Sequence, residues 1–187
     1  MYNRTLATKI KTGKVRLSYC SIWEPKASFD GAKPKYSTGI IIPKSDTKTI
    51  EAIEAAIQAA YEEGIGKLKG NGKTAPQLSV LKTPLRDGDL ERPDDEAYKD
   101  SYFLNANSTT APGVVDADLN EILDHTEIYS GVYARVSITF YAYNTGTAKG
   151  IAAGLNNIMK LADGEPLGGR MKAADDFAED ANGDYLS

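Results

Sequence analysis

The sequence has a single cysteine, Cys20, and a single histidine, His125, among its 187 residues. One cysteine excludes an intrachain disulfide and a cysteine zinc cluster. One histidine argues against most zinc sites and against most histidine-based acid–base enzymes. No run of residues is long and apolar enough to span a bilayer, and residues 1–7 contain no apolar signal core. We therefore expect a cytoplasmic protein with no membrane association, no metal and no other cofactor.

The formal net charge of −4 conceals an uneven distribution along the chain. Residues 1–82 carry fourteen Lys and Arg against seven Asp and Glu, a charge of +7, whereas residues 83–187 carry eight against nineteen, a charge of −11. A basic first half can neutralise phosphates, and an acidic second half can mimic them. Segregation of solvated charge by chance is the alternative interpretation.

The clearest local pattern is the alternation of apolar and polar residues over 131–144, which predicts a strand with one buried face and one exposed face. Exposed aromatic rings at two-residue spacing can stack on bases, and an arginine between them can bind a phosphate. Tyrosines that only fill a second layer beneath another element are the alternative. The expected inward residues are Val132, Ala134, Val136, Ile138, Phe140 and Ala142. The expected outward residues are Tyr133, Arg135, Ser137, Thr139, Tyr141 and Tyr143.

Other segments predict the rest of the architecture. Leu17 and Tyr19 are expected on the inward face of the first strand. A helix is predicted from the cap at Ser45-Asp46 to Gly64, because apolar residues recur there at intervals of three and four. About five strands with one inserted helix and a closing hairpin predict a mainly β protein, an OB-fold-like five-stranded Greek-key barrel. The further predicted strands cover 14–23, 35–42, 101–107 and 149–161, with a short one over 78–82 and a helical turn over 119–123.

The end of the chain changes character. We assign residues 1–170 to the barrel domain and residues 171–187 to an acidic C-terminal tail. Acidic segments with isolated apolar residues often dock on partner proteins, and such a tail can also fold back onto a basic groove. A tail that only improves solubility is the alternative. The tail residues predicted to bind a partner are Asp175, Asp176, Phe177, Glu179 and Asp180.

A cluster of carboxylates is the strongest hint of an enzyme. Asp87, Asp89, Asp94 and Asp95 lie close together in the sequence, and clustered carboxylates can hold the Mg²⁺ of a metal-dependent nuclease. The arginines interleaved among them neutralise the same charge without a metal. We therefore predict that the protein is not an enzyme, with a metal-dependent nuclease as the alternative.

Several segments together carry a family resemblance. They are residues 12–19, 24–26, 35–37, 41–50, 82–89, 92–93, 102–108, 129–131 and 154–169. In these segments the chain resembles a phage-encoded family long catalogued as a domain of unknown function and linked to phage single-stranded-DNA-binding proteins with an OB-fold. The resemblance covers most of residues 12–177. It implies a protein of the host cytoplasm that coats single-stranded DNA in phage replication or recombination, with a tail that recruits replication or recombination proteins. The end of the chain, 184–187, departs from the terminal aromatic residue that often follows the acidic run in such proteins.

These observations predict a non-catalytic protein that binds single-stranded DNA with little regard to sequence, through aromatic stacking and a basic groove. Weaker binding of double-stranded DNA and a homodimer stay open. The alternatives are a recombination mediator or annealing protein, the metal-dependent nuclease, and a protein-interaction domain that binds no DNA. The residues expected to contact DNA are Lys14, Arg16, Lys35, Lys82, Arg86, Phe103, Asn105, Tyr133, Arg135, Tyr141 and Tyr143.

Overall fold

Strands dominate the computed structural model, which describes residues 7–27 and 33–167. Five long strands and three short ones form one sheet in this part of the chain. The long strands are β2 (Val15–Lys26), β3 (Lys35–Pro43), β5 (Ser101–Ser108), β7 (Tyr133–Asn144) and β8 (Lys149–Ala162). The short strands are β1 (Lys9–Lys11), β4 (Arg86–Asp87) and β6 (Gly113–Val115).

The long strands close into a barrel because β7 is paired along both of its edges. One edge pairs antiparallel with β8 over the whole length of β7, and the other edge pairs with β2 and β1. The ring runs β2–β3–β5–β8–β7 and returns to β2, with β5 and β8 parallel to each other. This order is that of a five-stranded Greek-key barrel, and it confirms the predicted mainly β, OB-fold-like architecture.

The predicted faces of β7 are confirmed. All six predicted inward residues are buried, and none of them is more than 6% exposed. They join Leu17, Ile40 and Leu104 of the neighbouring strands in one apolar core. Burial of each large side chain of this kind contributes about 1.5–3 kcal/mol to folding. On the outward face, Arg135 and Tyr141 are exposed, whereas the other outward side chains are half-buried.

Helix α1 (Thr47–Glu63) follows β3 and packs against β1 and β7. The predicted cap is present, because the Asp46 carboxylate accepts a hydrogen bond from the backbone N–H of Thr49 at 3.2 Å. Gly64 ends the helix as predicted, and a Cβ there would lie only 2.2 Å from the Cβ of Ala142. The short helices are α2 (Ile65–Lys69) and α3 (Gly88–Glu91). Among the described residues, no helix is both long and apolar enough to cross a membrane.

The predicted inward position of Tyr19 is wrong, because β2 contains an irregularity. The pairing of β2 with β3 changes register between Ser18 and Ser21. Before this point Leu17 is buried as predicted, and after it the buried residue is Ile22. An extra residue in one strand shifts the alternation of the side chains that follow. Tyr19 is therefore 65% exposed.

Two predictions of short elements are also wrong. Residues 78–82 were expected as a strand, but Leu78–Val80 form a 3₁₀ turn. The helical turn expected over 119–123 is absent, because Leu119 has a φ of +68°, which a right-handed helix does not allow. A 3₁₀ turn forms further on, at His125–Glu127. Both segments are too short for a periodic pattern to define their structure.

Candidate nucleic-acid interface

A band of outward-facing residues crosses five strands of the sheet. Residues that lie directly opposite each other in a sheet share a face. The register aligns this band in the order Arg86, Phe103, Ile41, Arg16 and Tyr133. The fold thus brings together four of the residues predicted to contact DNA, although they are far apart in the sequence.

At one end of the band, two cations lie over the ring of Tyr133. The Nζ atom of Lys14 is 4.8 Å from the ring centroid, and the guanidinium carbon of Arg16 is 5.4 Å from it. The Nε–H group of Arg16 donates to the carbonyl oxygen of Gly131 at 3.1 Å, and its guanidinium also donates to the carbonyl oxygen of Glu165. The arginine is therefore held in place by the main chain while its charge stays next to an aromatic ring, a contact of about 0.5–1 kcal/mol when exposed.

Phe103, which was predicted to contact DNA, is covered by its neighbours. Phe103 faces outward, but it is only 3% exposed. The ring of Tyr98 packs edge-on against it at 5.0 Å between centroids, and Arg92 lies over the same ring at 5.5 Å. The face of this ring is therefore covered in this structure, and a contact of Phe103 with DNA stays a prediction. Asn105, two residues further along β5, is exposed and lies opposite Gly39.

Beside the band is a groove of about 570 Å³, in which three tyrosines form part of the wall. Tyr98 is buried, its hydroxyl is 3.0 Å from the Ser18 hydroxyl, and burial raises the pKa of its phenol. Tyr129 donates a hydrogen bond to Asp163 at 2.9 Å. Tyr19 is the exposed member, so its ring is the one available for stacking. The groove is completed by Ser18, Asp95, Ala97, Ser130, Pro166 and Leu167.

Tyr19 also has an unusual backbone conformation. Its φ of +46° lies in the left-handed region, where a bulky side chain is uncommon and costs on the order of 1–3 kcal/mol. Strain of this kind is found most often at functional sites. Sequence reasoning missed the residue because the alternation before the irregularity of β2 predicted an inward side chain.

Arg92 is the second residue that sequence reasoning missed. Its guanidinium carbon lies 5.7 Å from the ring centroid of Tyr19 and 5.3 Å from that of Tyr98. It forms no ion pair within the part of the chain that the structure describes. The rings thus hold in place a cation whose charge is not neutralised. The sequence alone shows Arg92 only as one of the arginines interleaved among the carboxylates of residues 87–95.

The remaining predicted residues lie away from the groove. Arg135 is exposed and its Nε–H group donates to the carbonyl oxygen of Thr12 at 2.8 Å. Tyr141, 42% exposed, and Tyr143 are further along β7. Lys82 forms a β-bridge with Gly150, the β8 residue that pairs with Tyr143. Lys35 pairs with Lys26 at the start of β3. These residues do not join the band, and their contacts with DNA stay predictions.

Three of the four carboxylates considered for a nuclease, Asp87, Asp89 and Asp95, have partners within the protein. The Nζ atom of Lys44 is 2.9 Å from Asp87 and 2.7 Å from Asp89. These hydrogen bonds raise the pKa of Lys44 and lower the pKa of Asp89. The Asp95 carboxylate accepts the backbone N–H of Ala97 at 3.1 Å. Within the described residues, no group of three acidic, histidine or cysteine side chains is arranged to hold a metal ion.

The single histidine and the single cysteine are placed for packing. The ring of His125 stacks on Trp23, with centroids 4.1 Å apart and planes 5° from parallel. Burial raises the pKa of the Cys20 thiol, which disfavours the reactive thiolate. The predicted tail residues Asp175, Asp176, Phe177, Glu179 and Asp180 lie outside the described residues.

Comparison with known proteins gives consistent matches. The family described as "Enterobacter phage Enc34, ssDNA-binding protein" matches residues 8–186. Protein p50 of Acyrthosiphon pisum secondary endosymbiont phage 1 is 31% identical over 177 residues, which are 90% of this chain and 92% of p50. The structure of the single-stranded DNA-binding protein from bacteriophage Enc34 in complex with ssDNA is 26% identical, with a TM-score of 0.74 over 87% of this chain and 90% of that one. The single-stranded DNA binding protein gp2.5 of bacteriophage T7 shares the fold, with a TM-score of 0.61 at 14% identity over 88% of this chain and 97% of gp2.5.

The contact between Lys44 and Asp89 predicts how stability changes with pH. Because the pKa of Asp89 is lowered in the folded state, its carboxylate stabilises the fold above the unfolded pKa of about 3.9, and this stabilisation is lost as the pH falls through the folded value. We expect Lys44→Met to lose less free energy of unfolding than the wild type between about pH 5 and pH 2, as measured by urea denaturation. Lys48→Met, at an exposed lysine of α1, is the control and should follow the wild type. Equal losses in Lys44→Met and the wild type would contradict this assignment.

Proposed function

The chain belongs to the family of the Enterobacter phage Enc34 single-stranded-DNA-binding protein, and on that premise we propose that it binds single-stranded DNA without catalysis and with little regard to sequence. The observation that carries the proposal is the pairing of aromatic rings with cations on one outer face of the barrel. Tyr19 lies beside Arg92, and Tyr133 lies beneath Lys14 and Arg16.

The two aromatic–cation groups form one surface. The groove beside Tyr19 is lined by Ser130, Pro166 and Leu167. The carbonyl oxygens that hold Arg16 belong to the adjoining residues Gly131 and Glu165. A DNA strand that leaves the groove at Ser130 therefore meets Arg16 next. An exposed stacking ring at Tyr19, with the cations Arg92, Arg16 and Lys14 along the same surface, matches the bases and phosphates of single-stranded nucleic acid.

This surface favours single strands of any sequence. A base stacks on an aromatic ring through its flat face, which every base possesses, and each such stack contributes on the order of 1–3 kcal/mol. Phosphates are attracted by Lys14, Arg16 and Arg92 whatever the base. In a duplex the bases are already stacked on one another, so the exposed ring of Tyr19 has no base face to contact.

Family membership supports a role in coating DNA during phage replication or recombination in the host cytoplasm. A recombination mediator or annealing protein remains the second candidate, and it requires a surface for a second strand. The nuclease is disfavoured because Lys44 occupies the carboxylates that would hold a metal. If the bound DNA strand continued along β7, it would also contact Arg135, Tyr141 and Tyr143.

Salt dependence tests the proposed function. Fluorescence anisotropy would measure the affinity for a labelled dT oligonucleotide and for a matched duplex. If three cations neutralise phosphates, the affinity for the single strand should fall about 20-fold between 50 and 200 mM salt, because each contact contributes a slope of about −0.7. Arg92→Ala should flatten this slope, whereas Lys48→Ala should leave it unchanged. Absence of binding at low salt would overturn the proposal, and equal binding of the duplex would indicate a basic surface of broader use.

Substitutions of Tyr19 test the stacking surface. We expect Tyr19→Ala to weaken binding of the dT oligonucleotide by about 5- to 150-fold, because a stack of about 1–3 kcal/mol is lost. Tyr19→Phe retains the ring and should bind within about twofold of the wild type. Urea denaturation of both variants checks that the fold is intact. If Tyr19→Ala bound as tightly as the wild type, the strand would not cross this groove.

We propose further that the acidic tail competes with DNA for the same groove. Leu167 lines the groove, and its N–H group donates to the carbonyl oxygen of Ser130 at 2.9 Å. Asp175 is only eight residues further on, a span of about 26 Å when extended. Residues 173–187 contain five carboxylates and no Lys or Arg, so they carry the charge of a phosphate backbone.

Deletion of residues 171–187 tests the role of the tail. Binding of a short dT oligonucleotide at low salt should become several-fold tighter, because the competing charge is removed. A full-length variant with the five tail carboxylates changed to amides should reproduce this effect if charge rather than length is responsible. Unchanged affinity in both variants would contradict competition and leave the tail as a segment for recruiting replication or recombination proteins.

A further inference from the structure

Two leucines in the loop between β6 and β7 are strongly exposed. Leu119 is 69% exposed and Leu123 is 77% exposed. Leu123 borders a groove of about 530 Å³ whose wall also contains Ile122 and Leu161. The loop is anchored to the sheet, since the N–H group of Ile122 donates to the carbonyl oxygen of Val114 at 3.0 Å. Apolar side chains grouped at the rim of a groove are typical of contacts with another macromolecule.

The charge around these leucines identifies the kind of partner. We call Leu119, Leu123 and the four carboxylates around them the leucine loop; the carboxylates are those of Asp116, Asp118, Glu121 and Asp124. None of these four carboxylates forms an ion pair among the described residues. Lys160, the basic residue in the groove wall, is already paired with Glu127 and Asp163. A surface of this charge repels DNA and attracts a basic surface.

The same molecule carries a basic surface of matching character. Lys9 and Lys11 on β1 are exposed and, with Arg135, border a hollow of about 230 Å³. Val115 and Met159 supply apolar contact area in the same hollow. The lysines form no ion pair with any residue that the structure describes. We call Lys9, Lys11 and this hollow the lysine strip.

The positions of the two surfaces favour contact between copies. β1 and β6 are the two terminal strands of the sheet, and they flank the β7–β8 pair on opposite sides. Lys11 of β1 lies opposite Ser137 of β7, and Ser137 lies opposite Asn157 of β8. Asn157 in turn lies opposite Gly113 of β6. The strands β1 and β6 are therefore three strand spacings apart, about 14 Å. The two surfaces lie at different edges of the same β-sheet and carry opposite charge, so the lysine strip of one copy can face the leucine loop of another, head to tail. Head-to-tail contacts that do not close into a ring give open chains, which suit a linear polymer such as DNA.

We propose that neighbouring copies bound to one DNA strand contact each other in this way, with the leucine loop of one copy on the lysine strip of the next. The occupant of the leucine loop is thus a second copy of this chain. The inference rests on the proposed function, because the DNA strand is what aligns the copies. Its consequence is cooperative binding to DNA that is long enough for several copies.

The test compares two dT oligonucleotides. One is the shortest that binds a single copy, and the other is three times as long. For the wild type, binding next to an occupied site should be tighter than binding to an isolated site by roughly 5- to 150-fold. Asp118→Lys with Glu121→Lys should abolish this gain while binding the short oligonucleotide at least as tightly as the wild type. Since added lysines can only strengthen attraction to DNA, loss of cooperativity cannot then result from weaker DNA binding.

The leucines and the charges have separate controls. Leu119→Ser should also reduce cooperativity, whereas Leu90→Ser, at a leucine of α3 that is 78% exposed, should not. Lys9→Glu with Lys11→Glu should abolish cooperativity by making both surfaces acidic. An equimolar mixture of this variant with the Asp118→Lys, Glu121→Lys variant should restore it, because alternating copies again present opposite charges.

The outcomes distinguish this inference from the proposed function. If the wild type fails to bind the short oligonucleotide, the proposed function itself is wrong. If the wild type binds the short oligonucleotide but shows no gain on the long one, the contact between copies is overturned. If both charge-reversed variants still bind the long oligonucleotide cooperatively, the contact between copies is overturned as well. The leucine loop would then be a binding surface for a different, basic protein.

Discussion

The double pairing of β7 is the constraint on which the rest of the structure depends. Its pairing with β8 and with β2 closes the barrel, and the same pairing buries its inward side chains in the core. Closure also fixes the register that places Tyr133 opposite Arg16. The ring and the cation are therefore positioned by main-chain hydrogen bonds between rigid strands, which keeps their geometry more constant than a loop would. Binding then requires little ordering of the protein, so less of the stacking energy is offset by lost conformational entropy.

The irregularity of β2 changes a core position into a surface position. Without it, Tyr19 would continue the alternation begun by Leu17 and its ring would enter the barrel. With it, the ring is exposed beside Arg92 and the backbone adopts a positive φ. Such a conformation persists only when the surrounding structure compensates for its cost. Here the core provides compensation, because the shift returns Ile22 to the interior, where it is 2% exposed.

The contrast between β7 and β2 explains how much could be predicted from the sequence. β7 alternates without interruption over twelve residues, so its faces follow from the pattern alone. Helix α1 was predictable from its cap at Asp46, its apolar spacing and Gly64. The position of Tyr19 was not, because a change of register depends on the partner strand, which a single segment does not encode. The burial of Phe103 was not predictable either, because the ring of Tyr98 that covers it belongs to a connection without a periodic pattern.

The uneven charge of the chain acquires a meaning only in the fold. Lys44, from the basic half, is neutralised by Asp87 and Asp89, whereas Arg92, from the acidic half, supplies a cation to the groove. A count of charges along the sequence therefore does not locate a binding surface. What matters is which charges remain unpaired and what lies next to them. Unpaired cations lie beside aromatic rings at the groove and beside an apolar hollow at β1, and unpaired carboxylates lie beside exposed leucines after β6. The first combination suits bases and phosphates. The other two are complementary to each other, so one charge distribution can serve both DNA binding and contact between copies.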